Sequence, residues 1–344
     1  MARTERSEAA WKAWIAKVEE EALEPELPIC DPHHHLWLDE GHTGWPYTLE
    51  DLHVDTGRGH NIVRTVYLEC GAEYRADGPA HLRPVGETEF VAPLAEASAA
   101  SGRAEIAGIM GHADLMLGEG VAEVLAAHEE AGRGRFRGVR YITAQSDHPA
   151  LAMRVTADMS DPVYRAGVRT VGSEGYTYDA MVYHPQLGEL EAVARACPDT
   201  PIVINHLGGI LGTGPYRDRR PEILAQWQSS MERLAACDNT FLKVGGIGMP
   251  MMGLRWDKQD TPPTSEALAA PWRDPLRKVI DTFGPARCMF ESNYPVDMRG
   301  AGYGVLWNAF KRIAEGYSSL EKQALFHDSA ARAYRLPLLA DGTD

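Results

Sequence analysis

Several features that would place this chain in familiar classes are missing. No stretch approaches the roughly 18 consecutive apolar residues that span a bilayer. Lys and Arg never cluster, and 34 of them against 49 Asp+Glu leave a formal net charge of −15. Binding nucleic acid requires grouped basic side chains to neutralise phosphates, so that class is excluded. Sustained contact with an anionic membrane is disfavoured on the same ground. Cysteine is scarce: Cys30, Cys70, Cys197, Cys237 and Cys288 stand singly, with no C-x-x-C pair. Such usage fits reduced, buried thiols rather than a disulfide framework. The N-terminus has no hydrophobic signal region, and a cytoplasmic location is expected. Glycine-rich nucleotide loops of the G-x-G-x-x-G or G-x-x-x-x-G-K-[ST] kind do not follow any early strand.

What is present is an ordinary globular composition, 44% hydrophobic and 24% charged over 344 residues, enough for one large α/β barrel or two smaller domains. An amphipathic helix is expected over residues 5–22. Apolar, β-branched runs at 27–35, 62–68, 104–110, 136–142, 175–183, 201–204, 240–244 and 287–290 read as strands. Helical patterns at 87–101, 120–131, 162–171, 185–196, 221–237 and 272–283 separate them. Strict alternation implies parallel strands with right-handed crossovers, and eight such units close into a (β/α)8 TIM barrel. The expectation is therefore an N-terminal helical extension over 1–26 and a single barrel domain over 27–344. Two terminal helices between Tyr303 and Tyr334 are expected outside the barrel. The long segments 36–60 and 246–271 each follow a strand and so belong to the active-site face.

Chemistry-bearing residues gather where these strands end. In Asp31-Pro32-His33-His34-His35, period-2 alternation puts Asp31, His33 and His35 on one face and His34 on the other. Two imidazoles at that spacing can bind one ion. An isolated H-x-H also arises in purely structural settings. His184 after the fifth strand and His206 after the sixth add weight, because the ends of barrel strands converge. The eighth strand runs into Glu291-Ser292-Asn293-Tyr294-Pro295-Val296-Asp297, with Glu291 and Asn293 on one face. Asp297 either reaches over the site or caps the next turn. Arg140 on the fourth strand either clamps an anionic substrate or pairs with Glu69 or Glu291. Lys243 on the seventh strand reads as structural. Met249, Met251, Met252, Trp45, Tyr47 and Trp256 either line a pocket or pack their loops. His-rich ligation suits zinc and permits Mn, Fe or Co.

These residues, in this order, resemble the amidohydrolase superfamily, specifically its amidohydrolase-2 branch of lactonases and decarboxylases. The likeness rests on Asp31-x-His33-x-His35-Leu36-Trp37, Phe136-Arg137-Gly138-Val139-Arg140, Val203-Ile204-Asn205-His206-Leu207-Gly208, the strand-eight segment and the closing helix around 324–334. It implies a distorted TIM barrel acting on a small, often carboxylated cyclic substrate, with one divalent metal or none. It puts His33, His35 and His184 at metal or carbonyl-binding positions and His206 beside the reacting group. One departure stands out: the family usually has Gly-Ser-Asp-Trp-Pro where this chain has Glu291-Ser292-Asn293-Tyr294-Pro295. An amide cannot serve as a general base. Glu291, Asp297 or no strand-eight carboxylate at all must then carry the chemistry. The leading expectation is hydrolysis of a lactone-type ester with His206, Glu291, Asn293 and Asp297 catalytic and Arg140, Glu69 and Tyr294 binding substrate. A metal-dependent decarboxylase or other lyase is the rival. The partner is a small molecule, and a homo-oligomer is left open.

Overall fold

The computed structural model describes residues 7–41, 43–151 and 157–338. The expectations for residues 1–6 of the extension and 339–344 of the barrel domain lie outside the described residues. Eight strands form one parallel sheet in sequential order: β1 Pro28–His34, β2 Asn61–Leu68, β3 Glu105–His112, β4 Phe136–Ile142, β5 Thr177–Met181, β6 Ile202–Ile204, β7 Thr240–Val244 and β8 Cys288–Phe290. Strands covered on both faces must be apolar nearly throughout, which is why they read as continuous runs.

The seam between β8 and β1 is closed by a few polar links. His35 N–H donates to Tyr294 O at 2.9 Å, and the Ser292 N–H donates to Asp31 Oδ1 at 3.0 Å. Tyr303 of the outer helix Tyr303–Ile313 donates its hydroxyl to Asp31 Oδ2 at 2.9 Å. Asp31 therefore parts company with the histidines. A register shift between Asp31 and His34 adds one residue to β1, and such a bulge reverses the alternation downstream. Pro32 lies inside the bulge, where its missing N–H costs no ladder bond.

Local structure departs from expectation in three places. The N-terminal helix is only Glu8–Ile15. A helix, Leu49–Thr56, interrupts the 36–60 segment, started by a capping box between Thr48 and Asp51. The C-terminal segment does not lie wholly outside. Ala330, Ala331 and Tyr334 pack with Cys30, Val66, Leu68, Met110, Val203 and Met289, so residues 330–334 plug the barrel opposite its active-site face. Among the described residues, no helix is long and apolar enough to cross a membrane.

Candidate active site

The turn after β6 brings His206 into the barrel mouth. His206 and Leu207 adopt left-handed φ of 50° and 58°, followed by Gly208 and Gly209 at 66° and 65°. A side chain at Gly209 would sit 2.1 Å from the Val182 carbonyl oxygen, so only glycine fits. Across the mouth, a Cβ on Gly245 would meet Glu291 Cγ at 2.2 Å. That missing side chain is what lets Glu291 reach His206.

Glu291 is wholly buried. Its Oε1 accepts from the His206 N–H at 3.1 Å and faces His206 Nδ1 at 2.7 Å. A carboxylate only accepts, so Nδ1 carries the proton and Nε2 keeps its lone pair. His206 lines a small cavity with His35, Arg140 and Asn293. The second Glu291 oxygen, Oε2, lies 2.8 Å from His33 Nδ1. That nitrogen also lies 3.2 Å from Lys243 Nζ. An ammonium can only donate, so His33 Nδ1 accepts from it. Burial first and then the Lys243 charge hold the His33 pKa well below its usual value, and the ring is neutral.

Lys243 in turn donates to Asp179 Oδ2 at 2.7 Å, both side chains fully buried. Asp179 also accepts from Asn205 Nδ2 and the Tyr334 hydroxyl. Arg140 Nε donates to Glu69 Oε1 at 2.8 Å, and a second Arg140 nitrogen reaches the Glu69 carbonyl. Of the two roles left open for Arg140, the structure displays the ion pair, and its guanidinium still borders the cavity. With Lys243 paired to Asp179 and Arg140 to Glu69, Glu291 is left without a cation of its own among the described residues.

Among the described residues, the buried His33 Nε2 and Glu291 Oε2 find no hydrogen-bond partner, and neither does Asn205 Oδ1 nearby. Ligand atoms of His33, His206 and Glu291 lie within 4.8 Å of one another. A buried carboxylate flanked by two imidazoles suits a divalent cation. His206 Nε2 and Glu291 Oε2 can turn lone pairs to such an ion as they stand, and His33 Nε2 would do so once Lys243 releases Nδ1 and the ring proton moves there.

The other expected site residues are placed differently. His35 directs Nδ1 to the Leu68 carbonyl at 2.8 Å, and its ring centroid is 5.0 Å from that of His33. His184 stands apart. It lies beyond the end of β5 in a Pro185 turn, accepts from Leu211 N–H at 3.2 Å and packs on Tyr216. The group the geometry assembles is thus His33, His206 and Glu291, not His33, His35 and His184. Tyr294 donates its hydroxyl to the Ala301 carbonyl at 2.9 Å and packs against Tyr303, away from the histidines. Neither it nor Glu69 is among the described residues lining the cavity.

Asn293, at φ 52°, gives Nδ2 to Asp297 Oδ1 at 2.8 Å. Asp297 also accepts from Gly248 N–H at 2.8 Å, so it braces Asn293 and the β7 loop. Burial pushes its carboxyl up to about 8, only partly offset by those two donors. The folded chain therefore retains a proton that an unfolded Asp loses near its usual pKa. Stability from this group is full at acid pH and is lost as pH rises toward 8. Asp297→Asn is expected to flatten that fall, so between pH 6 and 9 the wild-type melting temperature drops more than the variant's. Equal drops would show that Asp297 is already ionised at pH 6.

Asp179 is the site-facing residue that strand reading passed over. A lone carboxylate inside the apolar run Thr177–Met181 was the signal available for it.

Known proteins share this arrangement of strands. The family described as Amidohydrolase matches residues 30–336. The uncharacterised protein y4mH of Sinorhizobium fredii is 30% identical over 331 residues, 90% of this chain and 99% of that one. An L-fucono-1,5-lactonase of Burkholderia multivorans is 30% identical over 261 residues, 74% of this chain and 78% of that one. A solved amidohydrolase of Burkholderia multivorans with bound zinc overlays with a TM-score of 0.70 at 25% identity, covering 90% of this chain and 99% of that one.

Proposed function

This chain belongs to the amidohydrolase family, and from that premise we propose that it hydrolyses a small lactone to the hydroxy acid. The observation carrying this reading is the His206–Glu291 pair: a buried carboxylate fixes Nδ1 of an imidazole whose other nitrogen serves a cavity. The L-fucono-1,5-lactonase relative supports it.

In this reading His206 Nε2 takes a proton from a water as its oxygen adds to the lactone carbonyl carbon. Glu291 stabilises the imidazolium that forms. The proton passes to the ring oxygen as the acyl–oxygen bond breaks, so one water and one lactone give one hydroxy acid. Arg140 N–H groups not spent on Glu69 face the developing oxyanion. Asn293, held by Asp297, orients the water or the carbonyl. A divalent ion held by His33, His206 and Glu291 would polarise the carbonyl and make the attacking water more acidic, the activation that His206 otherwise gives as a base. Esters open more readily than amides, so an imidazole without a strand-eight Asp is an adequate base.

A pH-stat run with a lactone panel tests this. One equivalent of acid per lactone opened and no CO2 is expected. CO2 from a carboxylated substrate, with no acid from any lactone, would replace the hydrolase reading by a lyase.

A further inference from the structure

We infer that the lactone carries a hydrocarbon face, an alkyl or aryl substituent, and is not a polyhydroxylated sugar lactone; the inference rests on the lactonase reading and narrows its substrate. The cavity that His206 serves is small, about 90 Å³, against roughly 300–1,000 Å³ for ordinary ligand pockets. Its walls beyond the reacting groups are Ile142, Met181, Tyr183, Met249, Met251 and Val296. Tyr183 has no hydrogen left to donate, because its hydroxyl gives it to the Leu151 carbonyl at 3.1 Å, and only its oxygen can still accept. Among the described residues, polar side-chain atoms come otherwise from His35, His206, Arg140 and Asn293. Of these, His35 Nδ1 is held by Leu68 O, Arg140 Nε by Glu69 and Asn293 Nδ2 by Asp297. The reacting carbonyl and the water draw first on what these four side chains have left, so few partners remain for further hydroxyls.

A sugar lactone brings several ring hydroxyls besides the carbonyl. Pressed against Met and Ile side chains, each buried hydroxyl without a partner lowers binding by about tenfold or more. An alkyl or aryl group meets the same wall favourably. Methionine suits such a wall because its unbranched thioether fits irregular apolar shapes and favours aromatic contact. The Glu69 charge already balances Arg140, so the cavity does not demand an anionic substituent.

The test compares kcat/KM of the wild type for δ-hexanolactone and dihydrocoumarin with that for L-fucono-1,5-lactone and D-glucono-1,5-lactone. The alkyl and aryl lactones are expected to lead by about 10²-fold, the equivalent of two unpaired hydroxyls. Met251→Thr combined with Met249→Thr is expected to narrow the gap. Faster turnover of either sugar lactone overturns the substrate class while leaving the lactonase reading standing. Acid from none of the four, with a well-folded enzyme, overturns both.

Discussion

His206→Asn is expected to lower kcat/KM for lactone opening by about 10²–10⁴-fold, the usual range for a positioned general base. Asparagine retains an N–H donor for Glu291 but offers no nitrogen lone pair to the cavity. Glu291→Gln is expected to lose a similar factor for a different reason. The substituted amide keeps an acceptor for the His206 backbone N–H, yet it lacks the negative charge that stabilises the imidazolium 2.7 Å away. It can also turn its amide N–H toward Nδ1 and invert the tautomer, which puts the proton on the nitrogen that should accept one. Near wild-type rates in both variants, measured by pH-stat, would remove this pair from the mechanism. A bound divalent ion leaves the expectation unchanged, because the same two residues are among its ligands.

The second large effect falls on stability. Lys243→Met is expected to cost about 3–5 kcal/mol, the range found when one member of a buried pair is removed. The ammonium and Asp179 are both wholly buried at 2.7 Å. Without it, Asp179 retains, among the described residues, the neutral donors Asn205 and Tyr334. A domain stable by about 5–15 kcal/mol overall would be left near its threshold. Adding Asp179→Asn is expected to restore part of the loss, since an amide needs no cation. Urea midpoints for the single and double variants measure this; an unchanged midpoint in Lys243→Met would mean that the pair contributes nothing to the fold. The same change withdraws the donor from His33 Nδ1 and a positive charge from the neighbourhood of Glu291. Folded Lys243→Met is accordingly expected to retain more zinc after dialysis than the wild type, read by elemental analysis.

The barrel was legible because parallel strands covered on both faces must be apolar, and helices between them must be amphipathic; alternation alone orders eight strands. The histidines at strand ends were legible for the same topological reason. Finer points were not. Period-2 counting put Asp31 beside His33, but one bulged residue sends it to Tyr303 instead. His184 fell in a Pro185 turn just past β5, and two or three residues of chain are enough to aim a side chain elsewhere. The choice between Glu291 and Asp297 depended on a close approach at Gly245 and on the left-handed Asn293, neither of which has a pattern in one sequence. The helix Leu49–Thr56 could have been found, since Thr48-x-x-Asp51 is a start signal of the capping-box kind. Tyr334 could not: its hydroxyl meets Asp179 across 155 positions of chain.

His206 and Glu291 are held to act as one unit on the water that opens a lactone. The most direct measurement is a double-mutant cycle on kcat/KM with His206→Asn, Glu291→Gln and the double variant, all checked for folding. Residues acting as a unit lose their contribution together, so the double variant is expected to be no slower than the slower single variant. Losses that multiply across the two changes would show that each residue works alone, and would contradict this account of the site.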